Sequence, residues 1–397
     1  MSRANPGRIA ALRALVSVET GGHAEDVLVE LAPKKGPDRG LAWHLTLGVL
    51  RWQGALDLAL KPFLNRPIEK LDPGVRNALR LGLFEVHHSN TPTRAAVHQA
   101  VESVRSVGLG RATGIVNAVL RKASVTELSS DPQDRLPKWL YERWAAHPEW
   151  LERMMQPARV SLAGDAPEGI DVAPAVLGDE TLDQLWLLPS GAGNIADLPG
   201  FEEGHFWVMD PSAAKVADLV VECTPTGGTV LDACAAPGGK AFRMSKAGLK
   251  VTGVDRSPER LYLMSTNLSR LKMDIQLQPH DWLVGGLGGS PSFDTVLVDA
   301  PCTGLGTVRR HPEIIWRKEA GDPAAMGVTQ RQILRNAASH VNPEGALVYS
   351  VCSTEREEGT DVAESMEGWT IDKTWSSAPP QGDEDGFQAF VLRRSTS

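Results

Sequence analysis

From about residue 206 the chain alternates short apolar runs with amphipathic stretches. "GGTVLDACAAPGGKA", "LKVTGVDRS", "FDTVLVDAP" and "GALVYSVC" read as strands, with "PERLYLMSTNLSRLKM" and "TQRQILRNAASHV" as helices among them. Strands apolar on both faces and spaced by helices build a parallel sheet covered on each side. In such sheets ligands sit at the carboxyl ends of the strands. Residues 1–128 follow a different rhythm. "DRGLAWHLTLGVLRWQGALDLALKPFL" spaces its apolar residues by three and four, with Asp38 as a candidate N-cap. "DPGVRNALRLGLFEVHH" opens on Asp-Pro, a good cap and first-turn pair, and "TRAAVHQAVESVRSVG" stops at a glycine. This front part is expected to be an all-α bundle. Residues 129–205 join a Trp-rich helical piece, "LPKWLYERWAAHPEWLERMM", to apolar fragments broken by Gly, Pro and Asp. They read as a linker or small subdomain of short strands and turns.

A length of 397 residues implies more than one domain. The composition, 42% hydrophobic and 23% charged, is that of an ordinary soluble protein able to fill a sizeable core. No run reaches the roughly 18 apolar residues of a membrane span. Arg13 interrupts "RIAALRALVSV", and Ile9, Leu12 and Val16 share one helical face, so this segment reads as a first helix rather than a targeting signal. The four cysteines show no CxxC spacing, which argues against both a disulfide framework and a zinc site. A cytoplasmic, metal-free monomer is the expectation. Charge is unevenly spread: residues 1–125 hold 17 Lys and Arg against 10 Asp and Glu, and the remainder holds 24 against 39. A basic front on an acidic chain is the asymmetry of an RNA-binding module attached to something else.

"LDACAAPGGKA" (231–241) follows one strand and precedes a helix. Gly238 and Gly239 allow backbone to approach a ligand closely, and the small residues before them keep the loop lean. Asp255 ends the next strand, where an acid can accept both ribose hydroxyls of a nucleoside. Neither GxGxxG nor GxxxxGK[ST] is present, so the loop lacks a full phosphate cradle. A nucleoside cofactor without a pyrophosphate, such as S-adenosylmethionine, fits that pattern. Asp281 in "QPHDW" is placed to cap an adenine amino group, and Asp299 terminates an apolar strand where a charge belongs only at a ligand face.

Cys302 and Cys352 each lie just past a strand end. Cytosine is a poor nucleophile at carbon 5 until a thiolate adds to carbon 6 and pushes electron density across the ring. The enamine so formed can take a methyl group, and loss of the carbon 5 proton then expels the thiolate. Cysteine suits the first step, and Lys240 is a candidate cation to favour its ionised form. Asp299 can hydrogen-bond the base edge, and a second thiol can assist proton removal. On the residues alone, which cysteine attacks stays open.

"CAAPGGK", "DAPCTGLGT", "HPEIIW" and "YSVCS" resemble the motifs of the RNA cytosine-5 methyltransferases that carry two active-site cysteines. "LGVLRWQGALDLALKPFLNRPIEKLDPGVRNALRLGLFEV", "AVHQAVE" and "GIVNAVLRKA" resemble the NusB-like RNA-binding domain. Together they are similar to the RsmB (Sun) branch, which methylates a cytosine of small-subunit (16S) ribosomal RNA. The resemblance covers about 1–125 and 206–397. It implies a NusB-like all-α domain at 1–128 and a Rossmann-like S-adenosylmethionine-dependent methyltransferase domain at 206–397, flanking the 129–205 linker. It makes Cys352 the nucleophile and Cys302 the residue aiding release, with Asp299 and Lys240 at the target base. It places Cys234, Ala235, Ala236, Pro237, Gly238, Gly239, Lys240, Asp255, Arg260, Asp281 and Asp299 around the cofactor.

The sequence departs from the family pattern in places. Ala241 follows Lys240 where threonine is usual, Val351 stands in "YSVCS" where threonine is usual, and "ARVSLAGDAP" lacks an arginine-rich run. Arg309 and Arg310 in "TVRRHPE" offer a locally basic patch just after the Cys302 loop. Three other readings remain: a transfer-RNA cytosine-5 methyltransferase, an amino-group methyltransferase, and a non-catalytic RNA-binding scaffold. "DAPC" lacks the aromatic platform of the second, and an intact cofactor loop with two cysteines speaks against the third.

Overall fold

A computed structural model describes residues 4–378 and 381–395. The backbone gathers into two compact units, residues 1–155 with 310–319, and residues 156–309 with 320–397.

The first unit is helical: α1 (Pro6–Glu19), α2 (Ala24–Leu31), α3 (Pro37–Leu60), α4 (Pro73–His88), α5 (Thr93–Ser106), α6 (Thr113–Ala123), α7 (Pro132–Arg135), α8 (Lys138–Trp144) and α9 (Pro148–Met154). Asp72 caps α4 by accepting from Gly74 N at 2.9 Å, as the Asp-Pro pair predicts. Asp38 is not the cap of α3. The helix starts at Pro37 behind Gly36, whose φ of 85° only glycine adopts readily, and Asp38 instead accepts from Asn5 Nδ2 at 2.7 Å. In α1 the buried stripe includes Ala11, Leu12, Leu15 and Val18, whereas Ile9 and Val16 are half-buried, so the helix is rotated from the face the sequence suggests. Leu45, Leu56, Leu79, Leu81 and Leu83 fill the core.

The second unit begins with a small antiparallel sheet of β1 (Ser161–Gly164), β2 (Ala173–Leu177), β3 (Glu180–Leu187) and β4 (Phe206–Val208), in the order β2-β3-β1-β4. Helix α10 (Pro211–Cys223) leads into the large sheet. Its elements run β5 (Thr229–Asp232), α11 (Gly239–Lys246), β6 (Lys250–Asp255), α12 (Pro258–Leu271), β7 (Gln276–Pro279) and β8 (Phe293–Asp299). After β8 the chain contributes one turn, α13 (Ile314–Arg317), to the helical unit. It returns as α14 (Asp322–Ala338), β9 (Val341–Val351), α15 (Thr360–Ala363), β10 (Trp369–Ser376) and β11 (Gln388–Arg394). The sheet order is β10-β11-β9-β8-β5-β6-β7; β7, β6, β5, β8 and β9 are parallel, and β11 pairs antiparallel to β9. Alternate side chains divide between two apolar layers: Val230, Leu297 and Val348 enter one, and Leu231, Val296, Val298, Leu347 and Tyr349 the other. From β5 the order runs to β6 and β7 on one side and to β8 and β9 on the other. That reversal makes the carboxyl ends of β5 and β8 the switch point where a ligand is expected.

Within the helical unit α13 and its flanks are well anchored. Glu313, fully buried, accepts from Ala24 N at 3.0 Å and so caps α2, while Trp316 Nε1 donates to Leu50 O at 2.7 Å. Arg80, 4% exposed, binds Asp57 at 2.7 Å and Glu19 at 2.9 Å. Replacing Arg80 with alanine leaves the half-buried Asp57 without the arginine it binds, while Glu19 keeps Arg76. Arg80→Ala is therefore expected to cost about 3 kcal/mol, read as a lower urea midpoint of the full-length protein. A loss under about 1 kcal/mol would instead class the cluster with surface ion pairs.

Candidate active site

Three aspartates end three neighbouring parallel strands: Asp299 on β8, Asp232 on β5 and Asp255 on β6. Asp232 and Asp255 are buried, and among the described residues Asp232 Oδ1 has no hydrogen-bond partner. The loop from Cys234 to Gly238 leaves β5 over this edge. Its Ala235 N–H bonds to Val254 O at 2.8 Å, its Ala236–Pro237 peptide is cis, and Gly238 has φ 113°. A Cβ on Gly238 would fall 2.2 Å from the Phe242 ring, so this turn admits only glycine and opens α11 with bare backbone. Asp255 takes one backbone N–H on each oxygen, Ala236 at 3.2 Å on Oδ2 and Ser257 at 3.0 Å on Oδ1, so Oδ1 retains a lone pair while Oδ2 also faces Arg260. Arg260 donates to Ala236 O and lies 3.4 Å from Asp255, bracing the loop from outside. Asp281 follows β7 and accepts from Leu283 N at 2.9 Å, while Trp282 Nε1 ties that turn to Ala233 O at 2.6 Å. The lean backbone and the open carboxylate valences fit S-adenosylmethionine, a cationic nucleoside.

The first residue after Gly239 reaches across the switch point. Lys240 Nζ lies 2.6 Å from Asp299 Oδ2, and Ser350 Oγ donates to Asp299 Oδ1 at 2.7 Å. Burial disfavours the Lys240 ammonium, yet the charge and hydrogen bond of Asp299, helped by Cys352 and Asp232, hold it above the usual lysine range. Asp299 and Ser350 are register partners in β8 and β9, so the two loops that follow start side by side. Cys302 and Cys352 emerge from them with Sγ atoms 3.1 Å apart. The hydrogen bond to Cys352, then burial, pushes the Cys302 thiol well up. Burial likewise pushes up Cys234, whose neighbours Asp232, Asp299 and Asp255 add to the effect. Lys240, Asp299, Cys302 and Cys352 thus converge, while Asp255, Arg260 and the Cys234–Gly239 loop form a second group at β5 and β6.

Arg309 does not belong to a basic patch. It is 2% exposed and donates to Gly382 O at 2.7 Å and Glu384 O at 3.2 Å, holding a neighbouring loop by its carbonyls. Sequence reading also passed over Ser350 and Asp232. Ser350 was visible only as part of "YSVCS", and Asp232 as one more small polar residue in "LDAC".

Burial pushes the Asp232 carboxyl up to about 7; the charge of Asp299 adds to this, and Lys240 and the Cys234 N–H oppose it. A carboxyl with a higher pKa in the folded than in the unfolded chain binds more protons when folded. Its contribution to stability is therefore lost as pH rises from the ordinary value of 3.8 through about 7. Asp232→Asn should remove that slope. The variant is then expected to gain on the wild type between pH 5 and pH 8 in a series of thermal melts, by a few kcal/mol at most. An unchanged slope would assign the titration to another group.

Residues 223–374 match the family described as 16S rRNA methyltransferase RsmB/F, and residues 5–124 match the NusB family. The ribosomal RNA small subunit methyltransferase B of Pseudomonas syringae pv. tomato is 32% identical over 91% of this chain and 86% of its own length. The protein of that name from Thermus thermophilus is 34% identical over 92% of this chain and 88% of its own. The crystal structure of PH0851 aligns over 99% of this chain and 100% of its own with a TM-score of 0.82 at 20% identity. A methyltransferase homolog protein from Pyrococcus horikoshii aligns over 68% and 100% with a TM-score of 0.56 at 21% identity. At such identities these two structures speak for the fold alone. The sequence relatives do more: the chain belongs to the ribosomal RNA small subunit methyltransferase B family and is an S-adenosylmethionine-dependent RNA methyltransferase.

Proposed function

We propose that the protein methylates carbon 5 of a cytosine in small-subunit ribosomal RNA through a covalent bond between Cys352 and the base. The observation that carries this reading is the meeting of two cysteines, a lysine and an aspartate at the ends of β8 and β9. The names of the sequence relatives supply the ribosomal RNA. Residues Cys234 to Lys240, Asp255, Arg260 and Asp281 would hold the cofactor. When bound, S-adenosylmethionine supplies an electrophilic methyl group on a sulfonium.

The target base enters unstacked, since its carbon 6 is out of reach within a helix. Asp299, fixed by Lys240 and Ser350, accepts from the exocyclic amine and so orients the ring. Cys352, its thiol proton passed to solvent, adds Sγ to carbon 6, and the electron pair of the 5,6 double bond moves toward carbon 5. Lys240, with N–H groups beyond the one given to Asp299, supports the charge that develops on the ring. Cys302 keeps its proton at this stage, because its contact with Cys352 is the largest cause of its raised pKa. Once Cys352 becomes a thioether it no longer competes for that proton, while burial and the neighbouring Glu358 and Asp299 still hold the Cys302 thiol up, which makes its thiolate the stronger base. Carbon 5, carrying the methyl group it would take from the bound cofactor, then loses its proton to Cys302, whose own thiol proton has passed to solvent. The electron pair of that carbon–hydrogen bond restores the 5,6 double bond and expels Cys352 as a thiolate.

The roles of the two thiols separate in one experiment. Full-length wild type, Cys352→Ala and Cys302→Ala are incubated with labelled S-adenosylmethionine and unmodified small-subunit ribosomal RNA, then run on a denaturing gel. Cys352→Ala is expected to be inactive, with no protein held on RNA. Cys302→Ala is expected to accumulate a covalent protein–RNA complex, with turnover slowed by about 100-fold or more. Wild-type activity in both variants, or label outside carbon 5 of cytosine, would refute the mechanism.

A further inference from the structure

Both cysteines are followed by a hydroxyl residue, Thr303 after Cys302 and Ser353 after Cys352. Both hydroxyls donate to one carboxylate, that of Glu358, and Thr303 N–H donates to it as well at 2.7 Å. Gln330 Nε2 of α14 approaches the same group at 3.3 Å, and Tyr349 of β9 donates its hydroxyl to the Glu358 carbonyl. Glu358 is 0% exposed. We propose that Glu358 is the positioning residue that sets the spacing of the Cys302 and Cys352 thiols, by clamping the residue after each cysteine to one buried carboxylate. The inference rests on the two-thiol reading above and deepens it.

A merely local role does not account for this arrangement. Capping the turn after β9 would need Ser353 alone, whereas the carboxylate gathers donors from three separate segments: the loop after β8, helix α14 and the loop after β9. A buried acid is unfavourable unless its lone pairs are filled, and here the filling groups come from the two cysteine loops and from α14. Burial pushes the Glu358 carboxyl up, the donors from Ser353, Thr303 and Gln330 oppose that, and both hydroxyl protons turn toward the carboxylate. The backbone reinforces the clamp. Gly306 N–H donates to Cys352 O at 3.1 Å, and Gln388 Nε2 donates to Ser353 O at 3.0 Å. The chain turns at Gly359 directly against that glutamine, where a Cβ would lie 2.2 Å from Gln388 Oε1. Glu358 is thus held from both sides and cannot follow either loop alone.

The clamp is testable on the full-length protein with phenylarsine oxide, which binds two adjacent thiols by forming two arsenic–sulfur bonds and releasing one water. A Cys302→Ser control subtracts uptake by other thiols. Glu358→Ala is expected to lose the dithiol uptake and to lower kcat about 100-fold, the scale of a misplacement near 1 Å, with S-adenosylmethionine affinity unchanged. Glu358→Gln keeps an acceptor oxygen and adds donors that two hydroxyls can receive, so it should restore most of both. Should the alanine variant not fold, Glu358→Asp serves in its place. One methylene shorter, it cannot reach both loops and should lose the uptake. Wild-type dithiol uptake in the alanine or aspartate variant overturns the clamp, whatever their activity. A wild type that takes up the reagent but never methylates carbon 5 overturns the proposed function, and the uptake comparison still decides the clamp.

Discussion

The parallel register of β8 with β9 is the constraint on which the carboxyl edge depends. It sets Asp299 opposite Ser350, and the ladder runs one step further through Ala300 N–H to Ser350 O at 2.9 Å. A slip of one residue would turn Asp299 to the other face, away from both Ser350 and Lys240. The loops beyond the ladder are then drawn together by backbone. Gly306 bonds Cys352 O and accepts from Gly386 N–H at 2.8 Å, and a Cβ on Gly306 would sit 1.8 Å from Gly386 O. Only glycine permits that approach, which explains the second glycine of "CTGLGT" without reference to flexibility.

Electrostatics at this edge follow from crowding acids at adjacent strand ends. Three carboxylates near one another cannot all be ionised cheaply. Asp299 meets the demand with Lys240 and Ser350, and Asp255 meets it with backbone N–H groups and Arg260. Asp232 has less help and is the one pushed toward neutrality. An edge arranged in this way suits a cationic cofactor. The charge and hydrogen bond of Asp299 also favour the ammonium form of Lys240 against the cost of its burial.

Much of this was legible in the sequence, for a physical reason. Strands buried on both faces announce themselves as apolar runs, and the residue that ends such a run is confined to the ligand edge. Asp255 and Asp299 end such runs and the two cysteines lie just past two of them, whereas the separate roles of the two thiols come only from the family resemblance. What escaped is what depends on convergence. Glu358 lies in an acid-rich stretch, "TEREEG", in which nothing local marks one carboxylate as buried and shared by distant loops. Arg309 looked like half of an exposed pair, yet carbonyls at Gly382 and Glu384, more than seventy residues on, enclose it. Helix faces fail more gently. In α1 Ala10, Ala11 and Ala14 share the buried face with Leu12, Leu15 and Val18, and the larger Ile9 and Val16 stand at its margin.

The acidic balance of the chain is compatible with an RNA substrate once pairing is considered. In the helical unit Arg8, Arg76, Arg80 and Arg105 bind Glu85, Glu19, Asp57 and Glu102, so much of its negative charge is cancelled internally. Pairing removes cations and acids together, and the excess of lysine and arginine therefore survives on other residues. Arg94, Arg111, Arg121 and Lys122 of α5, α6 and the turn between them are exposed. Cations held on a rigid helical frame attract a polyanion without reading its sequence. An exposed excess of cations on the helical unit is thus compatible with an RNA substrate even though the chain as a whole is acidic.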